Sequence, residues 1–467
     1  SANLTGADLS GSTLTGATLT GADLTNATVI SATLTGANLT SANLTSANLS
    51  STNLTGADLT NATATSVNLT SSDLTDADLS DADLTNATIS SATLVRTNLT
   101  NADLSSVTGT SATLTSVSAS GASLAFANLT GSTLSHSSFN DANLLMAHFD
   151  TATITNTDFT NATGSYTTWT SATLTSPNLT DADLTGANFT SATLTQATAT
   201  GMNLSSANLE LTALVSLSAA GATLDGASLV KTSATGADFT QASMVGATGK
   251  NVNLSDATLT GIDLTNASLA GSNFDNANAH GAKLTGASFT DSSFIGTKFR
   301  KANLTDAALT GSKMTNVSLR SADLTGADAS YTDMTEADLS YADFTNANLT
   351  GTIFTDAAGW SVDMTGANLT GAVITRSSSN VSRLLQALNI SGADLTGADL
   401  TGIDFSNARM DGARQQTWTR WSPTVDPTAG GVMSRVLADA DAVCDLASFD
   451  GCEAADLNHV DLAARDL

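Results

Sequence analysis

Every fifth position from Leu4 to Ile374 is apolar or small, and the positions between are mostly hydroxyl, amide or carboxylate side chains. Leu4, Leu9, Leu14, Leu19 and Leu24 open the register. The unit reads Ala-Asp/Asn-Leu-Thr/Ser-Gly/Asn/Ser, as in Ala22-Asp23-Leu24-Thr25-Asn26. The leucine is its centre, and Phe139, Phe149, Phe159 and Phe189 are centres as well. On an α-helix, successive centres would step by roughly 140° and form no stripe. On one continuous strand they would alternate between faces. Either arrangement leaves half the leucines in water. A chain that turns a corner once per repeat points every centre at one axis. The residue after each Thr is the natural corner, because it is mostly Gly, Asn, Ser or Asp, which tolerate tight turns and left-handed backbone. The pattern therefore predicts short parallel strands stacked coil on coil at about 4.8 Å, in a quasi-one-dimensional chain.

The A(D/N)LXX unit resembles the signature of pentapeptide-repeat proteins. That resemblance covers about residues 1–413. It implies an all-β fold, a right-handed quadrilateral parallel β-helix with four repeats per coil. On that geometry, the 75 centres from Leu4 to Ile374 wind into about 19 coils, a rod roughly 90 Å long.

The register breaks after Ile374 and resumes at Ile390, Leu395, Leu400, Phe405 and Met410. The step from Ile374 to Ile390 is sixteen residues, one more than three repeats. An irregular insertion is expected over about 376–389, as a one-residue bulge or a short loop, with Arg383 to Ala387 suited to a helical turn. Residues 414–467 read as a junction or cap. Trp418, Trp421, Pro423 and Pro427 mark an irregular stretch, and residues 431–446 fit a short amphipathic helix. Leu457, Leu462 and Leu467 then restore the five-residue spacing over 455–467.

Aromatic residues are only 4% of the chain, which suits a thin core of Leu, Phe and Ala. Trp169 directly follows the glycine centre Gly164, and the pair reads as local volume compensation. Net charge is −27, and Arg96 is the one basic side chain in residues 1–230. Lys298, Arg300 and Lys301 belong to a later basic group. Such acidity argues against nucleic acid as a direct partner. With no run of eighteen apolar residues, no membrane span is expected. The chain begins inside a repeat at Ser1-Ala2-Asn3-Leu4, without a signal peptide, as a processed or excised chain would. Cys444 and Cys452 are spaced for a short disulfide loop. With Thr-rich, Lys-poor repeats, they point to an extracellular or cell-surface setting.

Catalytic chemistry is not expected. His136, His148 and His280 fall at outward positions without a second ligand at metal spacing, and His459 lies in the tail. No nucleophile elbow, phosphate loop or dinucleotide fingerprint is present, and no cofactor is implied. Formal glycosylation sequons such as Asn38-Leu39-Thr40 are generated by the repeat itself. Residues twenty apart should stack. Asp323, Asp343 and Asp363 would then form a column above Asn303 and Lys283. Neighbouring carboxylates at that spacing repel by roughly 1–3 kcal/mol unless a cation lies between them, which makes the column a candidate divalent-cation site.

Three functions follow from this surface. The leading one is a structural, non-catalytic filament subunit that stacks head to tail with copies of itself. Ala2, Leu4, Leu9 and Leu14 at one open coil edge would meet Leu457, Leu462 and Leu467 at the other. The second comes from the resemblance: some pentapeptide-repeat proteins are acidic DNA mimics that bind type II topoisomerases. Against it, duplex DNA roughly 90 Å long carries about 50 charges, well above 27. The third is ice binding through flat threonine arrays. Against that, hydroxyls occur on all faces, and Val95, Leu145, Val215, Asp225, Val245, Asp275 and Ile295 interrupt the columns.

Overall fold

The computed structural model describes residues 2–377, 385–401, 403, 408–414 and 419–421. The chain divides into two compact units, Ser1–Asp238 and Phe239–Leu467.

The corner residue makes the coil. Two positions after each centre the backbone is left-handed, with φ of 64° at Gly6, 57° at Asn26 and 58° at Asp76. The chain bends there, and the next small residue donates its amide back to the centre's carbonyl, as Ala27 N does to Leu24 O at 2.9 Å. Coil-to-coil bonds then repeat on every face. Leu24 N donates to Asn43 O (2.7 Å), Asn26 N to Thr45 O (3.0 Å) and Asp23 N to Ala2 O (2.9 Å). The pairing Asp23↔Asn43 and its successors are parallel and twenty residues apart. Four repeats therefore make one coil of a four-sided parallel β-helix.

In the first unit one face is drawn out into continuous strands. They are β1 (Thr93–Val95), β2 (Thr113–Thr115), β3 (Thr133–Ser135), β4 (Thr153–Thr155), β5 (Thr173–Thr175) and β6 (Thr193–Thr195), paired in that order as one parallel sheet. Among its described residues the second unit holds three parallel pairs. They are β7 (Thr248–Lys250) with β8 (Ser268–Ala270), β9 (Gly359–Trp360) with β10 (Leu385–Gln386), and β11 (Asp399–Leu400) with β12 (Arg420–Trp421).

The centres fill the axis. Leu24, Leu39, Phe139 and Trp169 are fully enclosed, and the alanines two positions before the centres are equally buried. In the second unit, Phe274 stacks on Phe294 at 4.9 Å and meets Phe289 edge-on at 5.4 Å. Where Thr or Ser replaces the small alanine, its hydroxyl can donate to a backbone carbonyl, in several cases one of the adjoining coil. Thr52 bonds Val29 O at 2.7 Å, Thr232 bonds Leu209 O at 2.6 Å and Thr297 bonds Phe274 O at 2.7 Å. The burial cost of the hydroxyl is thereby met.

The interruption is narrower than the sequence suggests. Asp363 pairs with Asn389 and Asn368 with Asp394, a step of twenty-six. Six residues are thus inserted between the centres Ile374 and Leu385, and residues 385–390 already follow the repeat. Of the helical turn expected over Arg383 to Ala387, residues 383 and 384 lie outside the described residues, and Leu385–Gln386 are extended rather than helical. Those residues are β10, because Leu385 and Leu388 are both buried against the axis and Ala387 takes the left-handed corner at φ 50°. Gly359, opposite Leu385, makes room for this: a β-carbon there would approach Leu385 Cδ2 to 3.2 Å and Val362 Cγ2 to 2.7 Å. Among the described residues there is no helix long and apolar enough to cross a membrane. The expected helix at 431–446, the Cys444–Cys452 loop and the repeat-like end at 455–467 lie outside the described residues.

Candidate functional site

Each face offers two outward columns, one before and one after the centre. In many repeats these columns hold each other. The carboxylate Oδ1 of Asp58 accepts from Thr60 N (3.0 Å) and from Thr60 Oγ1 (2.6 Å). An asparagine does the same work, as Asn43 does for Thr45. The clamp also reaches the next coil: Asn178 Nδ2 donates to Asp158 Oδ1 (3.0 Å) and Thr160 Oγ1 (2.8 Å). The Thr60 hydroxyl, followed by the Thr60 amide, holds the Asp58 carboxyl below its ordinary value. Ser10 acts likewise on Asp8, and Thr25 on Asp23. At a corner, Arg96 grips Asp76 through Nε and Nη2 at 2.6 and 2.7 Å, which lowers the carboxyl and raises the guanidinium.

The acidic column stands where the sequence places it: Asp323 pairs with Asp343, and Asp343 with Asp363. Each carboxylate is turned to the backbone two residues on, with Thr325 N, Thr345 N and Thr365 N donating at 2.9 Å. Among the described residues no three acidic, His or Cys side chains come together as a metal-binding group. Lys283, below the column, instead meets Asp263 at 3.4 Å.

The histidines are dispersed. His136 sits at a left-handed corner and faces Asn156 Nδ2 at 3.2 Å. His148 Nδ1 lies 2.9 Å from Thr168 Oγ1. His280 is half-buried on another face, and His459 is outside the described residues. Of the expected interface residues, Ala2 is exposed, and Leu4, Leu9 and Leu14 are half-buried at the first coil. Leu457, Leu462 and Leu467 are outside the described residues.

One feature escapes a reading by repeat. On the β1–β6 face the residue before the centre is Thr in all six strands, not Asp or Asn. The signal is present in the sequence only when residues twenty apart are aligned as columns.

A profile described as "Pentapeptide repeats (8 copies)" matches residues 2–40, 42–81, 68–105, 82–124, 110–144, 120–156, 154–190, 170–210, 219–248, 253–291, 280–316, 318–356 and 388–414. No curated protein sequence matches the chain significantly. Among solved structures, a pentapeptide-repeat protein of the Arabidopsis thaliana thylakoid lumen is 32% identical, over 27% of this chain and 69% of that one, with a TM-score of 0.18. HetL, involved in heterocyst differentiation regulation in the cyanobacterium Nostoc sp., is 24% identical over 57% of this chain and 90% of its own, TM-score 0.14. QnrB1, a plasmid-mediated fluoroquinolone resistance protein, is 16% identical over 44% and 93%, TM-score 0.25. A profile that fits the same five-residue unit over most of residues 2–414, on a coil built of four such units, makes this chain a member of the pentapeptide-repeat family.

Proposed function

We propose that the protein is a non-catalytic structural solenoid whose copies stack coil on coil into a filament. The observation that carries this reading is the backbone ladder, whose parallel pairs twenty residues apart recur from Asn3↔Asp23 to Ile353↔Val373. In its first coil Leu4 is half-buried, while Leu24 and Leu44 on the same face are 0% and 1% exposed. Each coil donates amides back to the one before it, as Asp23 N does to Ala2 O. A second copy in register would cover Leu4, Leu9 and Leu14 and continue that ladder. A head-to-tail contact of this kind does not close on itself, so it extends. Leu457, Leu462 and Leu467 supply the repeat-like segment that would meet the edge. The hydroxyl-rich, lysine-poor skin suits a secreted or cell-surface setting.

Mimicry of duplex DNA has less support. Residues 1–238 carry 17 acidic and 2 basic side chains. About twelve coils span roughly 58 Å, a length over which duplex DNA carries about 34 charges.

Light scattering and negative-stain microscopy of chain 1–467 test the proposal. Fibres that lengthen with concentration, and that Leu9→Lys abolishes without loss of β-structure, are the expected result. A monodisperse monomer at high concentration would sink it.

A further inference from the structure

We infer that the β1–β6 sheet of the first unit is an ice-binding face. Its strands read TLV, TLT, TLS, TIT, TLT and TLT. The middle residue of each points to the axis and the outer two point away. Of the twelve outward side chains, ten are Thr, one is Ser, one is Val, and none is charged.

Spacing is the first argument. The register is locked by backbone pairing, Thr113↔Thr133↔Thr153↔Thr173↔Thr193. Rows therefore repeat at about 4.8 Å, and the two ranks within a strand lie about 7 Å apart. This is a two-dimensional grid about 24 Å long from β1 to β6. The row repeat is close to the oxygen repeat of the ice lattice.

Hydroxyl availability is the second, and here it holds over six consecutive coils of one face. Where Asp or Asn precedes the centre, it can capture the hydroxyl after the centre, as Asp58 does Thr60 at 2.6 Å. On β1–β6 the residue before the centre is itself Thr, which offers no such carboxylate or amide. The one side-chain hydrogen bond formed among these twelve residues is Ser135 Oγ to Thr115 Oγ1 at 3.1 Å. The remaining hydroxyls are available to water.

Rigidity and neutrality complete the case. β-Branched Thr is stiff at χ1, so little side-chain freedom is lost when the face is covered. Each Thr also presents a methyl group, whose removal from liquid water favours adsorption. Charged groups would hold hydration that does not fit a lattice, and the face has none. The neighbouring faces at the same height carry Asp103, Asn143, His148 and Asp158 in the corresponding columns. Val95 lies at the margin of the sheet, and the interruption at Val215 falls beyond β6. Neither breaks the stretch from Thr113 to Thr195.

The test is partition of the full chain into slowly grown polycrystalline ice, with thermal hysteresis measured alongside. Wild type and the off-face control Thr63→Tyr should enter the ice, and Thr153→Tyr should be left in the liquid with its hysteresis lost. Circular dichroism melts confirm folding, and Thr175→Lys replaces Thr153→Tyr if that variant unfolds. Exclusion of the wild type from ice overturns the inference. So does equal uptake of wild type and the on-face variant, or loss of uptake in the control as well. None of these outcomes depends on residues 2–20, so the stacking proposal stands or falls separately.

Discussion

The indole Nε1 of Trp169 donates to Thr167 Oγ1 at 2.8 Å, with both side chains fully enclosed. Thr167 occupies the slot that is alanine in most repeats, and its hydroxyl in turn donates to the carbonyl of Gly164 at 2.9 Å. The ring is held between Phe149 at 4.2 Å and Phe189 at 5.6 Å, both nearly parallel to it. A β-carbon on Gly164 would lie 3.1 Å from Thr167 Cγ2 and 2.8 Å from Leu184 Cδ2. The glycine therefore clears space for the threonine, and the threonine satisfies the tryptophan.

Two substitutions test this chain of dependence. Thr167→Val keeps the shape and removes the acceptor, leaving a buried N–H unpaired, and should cost about 1–3 kcal/mol in denaturant unfolding. Gly164→Ala should cost about 1–3 kcal/mol by overpacking. A Thr167→Val protein as stable as wild type would show that the indole is not relying on that hydroxyl.

Thr297 predicts the opposite outcome from similar chemistry. Its hydroxyl donates to Phe274 O at 2.7 Å, but that carbonyl already accepts Ala277 N at 2.9 Å. Thr297→Ala installs the residue usual at this position and leaves no backbone group unpaired. The expected loss is about 1 kcal/mol or less. A loss several times larger, in the same unfolding assay, would mean that the hydroxyl organises more than this one carbonyl.

Much of this architecture was legible in the residues. The five-residue spacing of Leu24, Val29, Leu34 and Leu39 excludes both regular periods, and Gly or Asn two places later marks the corner. The pairing of Gly164 with Trp169 also announces a local exchange of volume. Leu385 was harder to place, because Leu384 and Leu388 compete for the same role and only the pairing with Gly359 decides. The buried hydroxyls of Thr52 and Thr297 were hidden because Thr also decorates the outside, and side-chain identity does not reveal direction. The Asp323, Asp343 and Asp363 column was placed correctly as a stack. Its carboxylates face their own backbone amides, a local competition that spacing does not express. The β1–β6 face requires comparing positions twenty apart, where the absence of Asp and Asn is the signal.

Acid should destabilise the clamps. Asp8, Asp23 and Asp58 are held below their ordinary value of 3.8 by the hydroxyl two residues on and then by its amide. A depressed folded value means that the unfolded chain takes up the proton more readily. This stabilisation is fully present above 3.8 and is lost as pH falls through the lower folded values. Protonation also relieves the repulsion of a chain at −27, which acts in the opposite sense. The triple change Asp8→Asn, Asp23→Asn and Asp58→Asn separates the two, because asparagine forms the same clamp, as Asn43 does with Thr45. The variant should match wild type near neutral pH and show a flatter fall in melting temperature in acid. Superimposable acid limbs would remove these carboxylates from the account.

The six-residue insertion should be dispensable for the coil. On either side of it the ladder is intact: Met364 N reaches Asn389 O at 2.7 Å, and Leu369 N reaches Asp394 O at 2.8 Å. Deleting residues 378–383 brings Ile374 and Leu385 back to a spacing of five. It leaves Gly359, Val362 and Leu388 to pack as they do now. Shortening a flexible connection changes the closure entropy by only about 0.6 kcal/mol per halving of its length. The deletion variant should therefore unfold within about 1 kcal/mol of wild type, with unchanged β-structure by circular dichroism. If it unfolded far more readily, the inserted residues would be supporting the coil. The amide bond from Ser377 N to Asp356 Oδ1, 3.0 Å long, would then be the first contact to examine by substitution.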